Sequence, residues 1–431
     1  MPQREPCRLS ATTLVRSIEE GRLSAEALVR SCLGRIAERD SVVRAWAHLA
    51  GEAALAAARD RDKAGRRSLL NGVPFGLKDI FDTADMPTGY GSPIYAGSRP
   101  AADAAAAALP RAAGGILLGK TVTTEFANRH PGPTANPHDP DHTPGGSSSG
   151  SAAAVADFMV PLAVGTQTGG SVIRPAAYCG VVGFKPSFGL FPPAGMRINT
   201  DALDTVGIMA RSVEDIALFR AAMMAIPYQP PALPENAPRL GLCRAPAWDR
   251  ALPEGAAAFE AAVERLSAAG AALVETRLPP ECAEGLDTQA AIADFEAPRN
   301  HMPELHRHAA LLSPDLREAK IARGRKLRVE DFRKAQEAAR RARRAAAAWA
   351  GGFDAILTLP APGEAPRGLA DTGPAIFNAL WTMLYMPCLT LPAGKGPRGL
   401  PLGLQLVGRR HADLRLLETA LWVERYLAGA S

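Results

Sequence analysis

The amino-acid sequence predicts an α/β fold built around a central mixed β-sheet. Short apolar runs bounded by glycine and proline are typical of buried strands, and they recur along the 431-residue chain. Between them lie longer segments whose apolar residues recur at intervals of three and four, as in amphipathic helices. A hydrophobic content of 47% is sufficient for the large core that such alternating elements require.

The first half of the chain contains both kinds of element. Residues 9–60 have helical periodicity, and Gly21 breaks the run between two helices. The segments GVPFGLKDI and GGILLGKTV, within residues 70–125, predict strands, with a helix at 101–113 between them. Residues 130–150 predict a long loop that leads into a helix beginning at SAAAVADF. Loops of this length in compact domains are usually functional or disordered.

The second half continues the alternation. It predicts helices at 256–279 and 314–349, strands at 353–360, 388–394 and 402–408, and a terminal helix at 412–428. No segment has the composition of a flexible linker. We therefore expect a single domain over residues 1–431, with a helical insertion around 280–350.

Charge and composition limit the partners. The formal net charge of +5 is small for this length, and the densest basic run, at 340–344, lies in an alanine-rich helical stretch without aromatics. We interpret that run as a solvated helix face and expect no nucleic-acid partner.

No apolar stretch reaches the roughly 18 residues that span a bilayer. The N-terminus lacks a secretory pattern, and the six scattered cysteines suit a reducing compartment, so we expect a cytoplasmic protein with no membrane partner.

Two Gly-Gly-Ser turns are the most informative feature of the chain. Ser147 and Ser171 each follow two glycines, which let the backbone bend sharply and approach a ligand closely. Lys78 lies upstream in an apolar setting, VPFGLKDI, where burial would lower the pKa of its amine. Two serines and a neutral lysine suffice for acyl transfer without histidine or metal. The successive N–H groups of residues 168–171 are suited to hold an oxyanion.

Three other interpretations of the motifs are weaker. GGSSSGS alone resembles a flexible linker, but it adjoins a helix-forming run and a second Gly-Gly-Ser follows. Gly114, Gly119, Lys120 and Thr121 match the phosphate-binding pattern GxxxxGK[ST], yet Gly-Ile-Leu-Leu within it indicates a buried strand. His138 and His142 could ligate a metal, but Pro140 prevents the helix that would align them. We expect no metal and no cofactor.

The motifs resemble those of the amidase signature family. The resemblance rests on PGGSSSGSAAA, on GTQTGGSVIRPA and on GVPFGLKDIFDT, in the family's order and spacing, and extends to GLPLGLQLVGRRHADLRLLE. It implies a large mixed sheet covered by helices on both faces. It also implies that Ser171 is the nucleophile, Ser147 a bridging serine with cis peptide geometry, and Lys78 the base. Thr168, Gly169, Gly170 and Ser171 would form the oxyanion hole.

One departure from the family pattern bears on the substrate. Many members have an aspartate at the position of Gln167 and an arginine two places after the nucleophile, whereas here Arg174 stands three places after Ser171. Without an acidic partner, Arg174 would keep its guanidinium free for a substrate carboxylate. Within the family the chain is most similar to malonamidases, sharing ALDTVG and DFEA among other segments. The resemblance therefore implies hydrolysis of a small carboxylate-bearing amide such as malonamate.

Other functions stay open from the sequence. Arg174 could be structural, in which case the protein would be an aliphatic or aryl amidase with no acid requirement. The same signature occurs in the A-type subunit of tRNA-dependent amidotransferases, which pass ammonia to a partner complex. A homodimer is also possible.

Overall fold

The computed structural model describes residues 5–65, 67–245 and 247–428. Eleven strands form one sheet over these residues. In chain order they are β1 Trp46–Leu49, β2 Pro74–Lys78, β3 Ile116–Thr121, β4 Leu162–Gln167, β5 Val182–Lys185, β6 Thr205–Ala210, β7 Arg239–Leu242, β8 Ala272–Glu275, β9 Ala355–Thr358, β10 Cys388–Lys395 and β11 Pro401–Val407.

The α-helices alternate with these strands. They are α1 Ala11–Glu19, α2 Ala25–Val43, α3 Gly51–Ala64, α4 Ala105–Ala112, α5 Ser149–Ala156, α6 Ile173–Cys179, α7 Val213–Met224, α8 Pro253–Ala268, α9 Gly285–Asn300, α10 Met302–Arg307, α11 Ala322–Gly324, α12 Val329–Ala350, α13 Ile376–Met383 and α14 Asp413–Ala428. A π-helix, Asp315–Ile321, precedes α11, and short 3₁₀ turns connect other elements.

The sheet has the order β1-β3-β2-β4-β6-β5-β10-β11-β9-β7-β8. β2 pairs in parallel with β3 and β4, and β7 pairs in parallel with β8 and β9. The remaining pairs are antiparallel, so the sheet is mixed. With helices packed against it, this architecture confirms the predicted α/β class.

The parallel pairing of β2 with β4 places the candidate residues at one edge of the sheet. All five residues of β2 and all six of β4 are buried, which is typical of strands covered on both faces. β2 ends at Lys78 and β4 ends at Gln167, directly before the loop that contains Ser171. Because the carboxyl ends of parallel strands meet at the same edge, the two segments lie side by side although they are far apart in sequence.

Several predicted elements are confirmed and others need correction. The strands at GVPFGLKDI and GGILLGKTV form as β2 and β3, and the helix predicted at 101–113 forms as α4. The helix predicted over 256–279 is wrong at its end, since α8 stops at Ala268 and residues 272–275 form β8. Gly270, at φ +98°, turns the chain so that β8 can pair with β7. β1 also interrupts the helical region predicted over 9–60.

Residues 280–350, all of which the structure describes, contain helices and short helical turns but no strand. The single helix predicted over 314–349 is instead divided into the π-helix, α11 and α12, with residues 325–328 between the last two. The interpretation of residues 340–344 as a solvated face is wrong for Arg343, whose guanidinium lies 3.5 Å from the Tyr385 ring centroid and donates to the Met383 carbonyl oxygen. Within the described residues, no helix combines the length and apolar character that a bilayer crossing requires.

Candidate active site

Lys78 ends β2 inside the protein, with no exposed surface. Its Nζ lies 2.7 Å from Ser147 Oγ and 2.7 Å from Thr166 Oγ1. Burial lowers the pKa of this amine to about 7, and the negative charge of Asp204 opposes the shift. Near neutral pH a substantial fraction of Lys78 is therefore unprotonated and able to accept a proton.

Asp79 points away from Lys78, as expected for adjacent residues at the end of a strand. Its carboxylate lies 3.0 Å from Lys120 Nζ and accepts a hydrogen bond from the Gly89 N–H. Burial raises the pKa of Asp79, whereas Lys120 opposes that rise. Lys120 is buried in β3 and also donates to Phe81 and Thr88, so it is not available to a phosphate. The phosphate-loop interpretation does not fit this geometry.

Ser147 lies in a tight turn directly before α5. Gly145 has φ +79°, and a Cβ atom there would lie 2.9 Å from the Pro175 Cα, so only glycine fits. The Gly146–Ser147 peptide is cis. Ser147 is 1% exposed, and its carbonyl oxygen accepts a hydrogen bond from the Thr124 N–H. The turn thus holds the hydroxyl of Ser147 beside Lys78 in a water-poor environment.

The loop of residues 168–171 presents unpaired N–H groups. Its carbonyl groups are occupied, since Gln289 Nε2 donates to the Thr168 oxygen at 3.1 Å and Thr382 Oγ1 donates to the Gly169 oxygen at 2.8 Å. The N–H of Ser148 donates to the carbonyl oxygen of Ser171 at 3.3 Å and joins the two serine turns. Within the described chain, the N–H groups of residues 168–171 have no acceptor. This pattern is suited to stabilising a developing oxyanion.

Gln167 stabilises the start of α6 in place of the aspartate of the family pattern. Its Oε1 accepts hydrogen bonds from the N–H groups of Val172 and Ile173, at 2.9 and 3.0 Å. Its Nε2 donates to Thr382 Oγ1 at 3.0 Å. The amide therefore occupies the first N–H groups of this helical turn and leaves those of the preceding loop unpaired.

Arg174 does not have the free guanidinium that its sequence context predicts. Nη1 donates to the Gly373 carbonyl oxygen at 2.5 Å, and Nη2 donates to the Gly146 carbonyl oxygen at 2.5 Å and to Thr372 Oγ1 at 3.1 Å. The residue is 5% exposed, and burial lowers its pKa to about 10. The expectation is wrong because two neighbouring turns supply acceptors that no local pattern reveals. A role in binding a substrate carboxylate stays a prediction.

A cavity of about 830 Å³ lies over the Ser171 loop. Five of its lining residues are cationic and three are anionic: Arg129, Arg174, Arg250, Lys320 and Arg323, against Asp294, Asp315 and Asp371. The helical region 280–350 provides much of this wall. Thr166, Asp204 and Lys320 are not among the predicted site residues, although Asp204 lies in the segment ALDTVG that the resemblance includes. No sequence motif distinguishes Lys320 from lysines that lie on the protein surface.

The two histidines considered as metal ligands, His138 and His142, have local partners. A ring nitrogen of His138 lies 2.9 Å from the Cys179 carbonyl oxygen, and Nδ1 of His142 lies 3.0 Å from a carboxylate oxygen of Asp139. In the part of the chain that the structure describes, no three or more His, Cys, Asp or Glu side chains form a group that could hold a metal ion.

Fold and site together define an α/β protein with a buried lysine–serine centre. The family model "Amidase" matches residues 27–417, which is most of the chain. The chain therefore belongs to the amidase family. That match includes Lys78, Ser147 and Ser171 as well as the helical region 280–350.

Relatives and solved structures agree with this assignment. The A-type subunit of glutamyl-tRNA(Gln) amidotransferase from Mycobacteroides abscessus is 40% identical over 300 residues, covering 63% of this chain and 61% of the relative. The chain thus matches about three-fifths of that curated relative. A crystal structure of an amidase is 31% identical, with TM-score 0.88, and covers 97% of this chain and 99% of its own. A peptide amidase in complex with chymostatin is 29% identical, with TM-score 0.84, and covers 98% of both chains.

Proposed function

We propose that this amidase-family protein hydrolyses the C–N bond of a small, carboxylate-bearing amide through an acyl-enzyme on Ser171. The observation that supports this most directly is the buried contact of 2.7 Å between Lys78 Nζ and Ser147 Oγ, beside the loop that contains Ser171. In this proposal Lys78 is the base, Ser147 relays protons, and Ser171 is the nucleophile. No cofactor is required.

The proposed cycle balances its protons between two hydroxyls and one amine. Neutral Lys78 accepts the proton of Ser147, which accepts the proton of Ser171 as its Oγ attacks the amide carbonyl carbon. The N–H groups of residues 168–171 hold the resulting oxyanion. As the C–N bond breaks, Ser147 gives a proton to the leaving nitrogen and takes one back from Lys78, so ammonia departs and Lys78 is neutral again. Water then attacks the acyl carbon and passes a proton through Ser147 to Lys78. The same path returns a proton to Ser171 Oγ as the acyl–oxygen bond breaks, which gives the free acid and restores the serine.

The charge of the cavity supports an anionic substrate. Arg323 is neutralised by Asp294, through contacts of 2.7 and 3.2 Å, and Arg174 is held by backbone oxygens. Asp315 lies 3.6 Å from the ring of His130, and Asp371 accepts a hydrogen bond from the Gly373 N–H. With five cations against three anions, the cavity wall keeps an excess of positive charge. Such an excess raises the local concentration of anionic ligands.

Lys320 is the cation best placed to bind a substrate carboxylate. Its Nζ donates to Asn128 Oδ1 at 2.8 Å and to Asn199 Oδ1 at 3.1 Å, both neutral oxygens. An ammonium has three N–H donors, so one is left for a ligand. Neither of these two partners is a carboxylate. Burial lowers the pKa of Lys320 to about 8, and an arriving carboxylate would stabilise its charged form.

Malonamate is the simplest substrate of this class, because it joins a primary amide to a carboxylate through one methylene group. Arg174 also borders the cavity and adds its charge to the attraction, even though its hydrogen bonds are largely occupied. A neutral aliphatic or aryl amide without a carboxylate would leave the third N–H of Lys320 without an anionic acceptor.

A second candidate is supported by the curated relatives better than malonamate itself. The 40% identity to the A-type component of an amidotransferase suggests that ammonia released at Ser171 is passed to a partner. Both candidates share the cleavage of an amide, but they differ in what accepts the nitrogen. A stand-alone hydrolase releases free ammonia, whereas a component of an amidotransferase needs its partner for full activity.

The test is ammonia release by the purified chain from a panel of amides. The panel contains malonamate, malonamide, glutamine, asparagine, acetamide and benzamide, with the Ser171→Ala variant as the blank. We expect turnover of malonamate in the absence of any partner, above that of malonamide. Turnover of glutamine but of no other amide, or turnover that appears only when a partner is added, would favour the amidotransferase candidate. No turnover of any amide would contradict the proposed hydrolysis.

A further inference from the structure

Asp204 lies between the loop of Ser171 and the wall that contains Lys320. It stands at the end of a turn that begins at Asn199, directly before β6. One carboxylate oxygen accepts the hydroxyl hydrogen bond of Thr168. The other accepts the N–H groups of Asn199 and Thr200, at 2.7 and 3.0 Å. Burial raises the pKa of Asp204, whereas these hydrogen bonds and the positive charge of Lys320 oppose the rise and favour the ionised carboxylate.

The same turn holds the candidate substrate-binding lysine. Asn199 uses its backbone N–H for Asp204 and its side-chain oxygen for Lys320 Nζ, at 3.1 Å. Asn199 is 3% exposed, so this arrangement is shielded from water. A continuous path of hydrogen bonds therefore runs from Lys320 through Asn199 and Asp204 to Thr168, three residues before Ser171.

We propose that Asp204 is a positioning residue that connects the substrate-binding wall to the oxyanion loop and acts electrostatically on the catalytic lysine. This inference rests on the proposed function and adds a residue that positions the same site. By holding the Thr168 side chain, Asp204 orients the N–H groups of the loop without touching the substrate. Small displacements of such groups are costly, since a shift of about 1 Å can reduce a rate about 100-fold.

The charge of Asp204 reaches both lysines of the site. It favours the protonated forms of Lys78 and Lys320. Thr168, whose hydroxyl Asp204 holds, lies two residues after Thr166, the hydrogen-bond partner of Lys78 Nζ. Two other titratable groups lie at this turn. Lys320 lowers the pKa of Asp204, and Glu296, on α9, accepts a hydrogen bond from the Ala202 N–H at 3.2 Å. Burial raises the pKa of Glu296 to about 7, and Asp201 and Asp204 add to the rise. Removing the charge of Asp204 therefore allows Lys78 to lose its proton at lower pH.

Four variants separate the two actions of Asp204. Asp204→Asn removes the charge, and Asp201→Asn makes the same change at an exposed acid three residues away. Thr168→Val removes the hydroxyl while keeping the carboxylate, and Thr168→Ser restores a hydroxyl. We expect Asp204→Asn to shift the rising limb of the kcat/KM profile to lower pH and to reduce kcat about 10- to 100-fold.

The remaining variants have their own expected results. Thr168→Val reduces kcat without shifting the limb, and Thr168→Ser recovers part of the loss. Asp201→Asn leaves the profile in place. Thermal unfolding of each variant shows whether it is folded, and if Asp204→Asn does not fold, the Thr168 pair still tests the positioning role. Superimposable profiles for wild type and Asp204→Asn, or equal shifts for Asp201→Asn, would overturn the inference.

A second measurement separates this inference from the identity of the substrate. Phenylmethylsulfonyl fluoride modifies an activated serine without any amide, and mass spectrometry gives the rate of labelling at Ser171 as a function of pH. If the wild type cleaves no amide but is labelled, and Asp204→Asn shifts the labelling profile, the inference stands while the proposed substrate fails. If the wild type is not labelled, both are overturned.

Discussion

Arg174 donates a hydrogen bond of 2.5 Å to the carbonyl oxygen of Gly146, the residue immediately before Ser147. The same guanidinium donates to the carbonyl oxygen of Gly373, in a turn of the cavity wall. One side chain thus holds two turns, of which one contains the relay serine. Its charge is satisfied by peptide dipoles instead of an acidic partner.

This contact predicts the effect of replacing Arg174. The Arg174→Met variant should lower kcat about tenfold or more for malonamate and for malonamide alike, because Ser147 loses part of its support. Steady-state assays on this matched pair measure the effect. A loss confined to malonamate would instead assign direct carboxylate binding to Arg174.

Lys78 predicts the pH dependence of the reaction. The base must be unprotonated, and its pKa is lowered to about 7, so kcat/KM should rise with pH with a midpoint near 7. The free energy of unfolding should also depend on the protonation of Lys78. Between about pH 7 and the ordinary lysine value of 10.5, the unfolded chain binds the proton and the folded chain does not, so this contribution to stability rises with pH.

The Lys78→Met variant tests both statements. It should be inactive, and at pH 7 it should be about as stable as the wild type or up to about 3 kcal/mol more stable, because the cost of burying an amine is removed. Chemical denaturation at pH 7 and at pH 10 gives the comparison, and the advantage of the variant should shrink at the higher pH. A wild-type rate that falls as pH rises through 7 would contradict the role of Lys78 as the base.

The place of Lys320 in the cavity wall predicts a preference for substrates that carry a carboxylate. Lys320→Met should lower kcat/KM for malonamate about 10- to 100-fold, the loss expected for one charge-assisted hydrogen bond of about 1.5–3 kcal/mol. Malonamide, with no carboxylate, should change little. Lys326→Met is the matched control, since Lys326 is exposed and lies outside the cavity lining. Lys320→Arg should retain part of the preference for the acid, and equal losses on both substrates would exclude this role.

The buried ion pair of Asp79 and Lys120 predicts a stability effect. Asp79→Asn should cost about 3–5 kcal/mol of unfolding free energy, because it leaves the Lys120 charge uncompensated in the core. The double variant Asp79→Leu with Lys120→Met should recover much of that loss. Urea denaturation measures both. A small effect of Asp79→Asn, comparable to that of Asp141→Asn in an exposed ion pair, would show that Lys120 is not dependent on Asp79.

The α/β class, β2 and β3, and the sharp turns at Ser147 and Ser171 could all be predicted from local pattern. Apolar periodicity and glycine placement act over a few residues, so they are visible in the sequence. The end of the helix at Ala268 could not be predicted, because ALVE at 272–275 becomes a strand only where β7 offers it a partner. Parallel pairing is a non-local interaction.

The sequence by itself determined the chemical groups of the site: a lysine in an apolar strand and two serines in glycine turns. Only the tertiary structure decided which of them meet, since Lys78 and Ser147 are separated by 69 positions yet lie 2.7 Å apart. It also decided that Arg174 is held by Gly146 and Gly373, and that Lys320 borders the cavity. The physical reason is that burial, charge balance and hydrogen-bond partners depend on every element packed around a group, whereas a motif records only its neighbours along the chain.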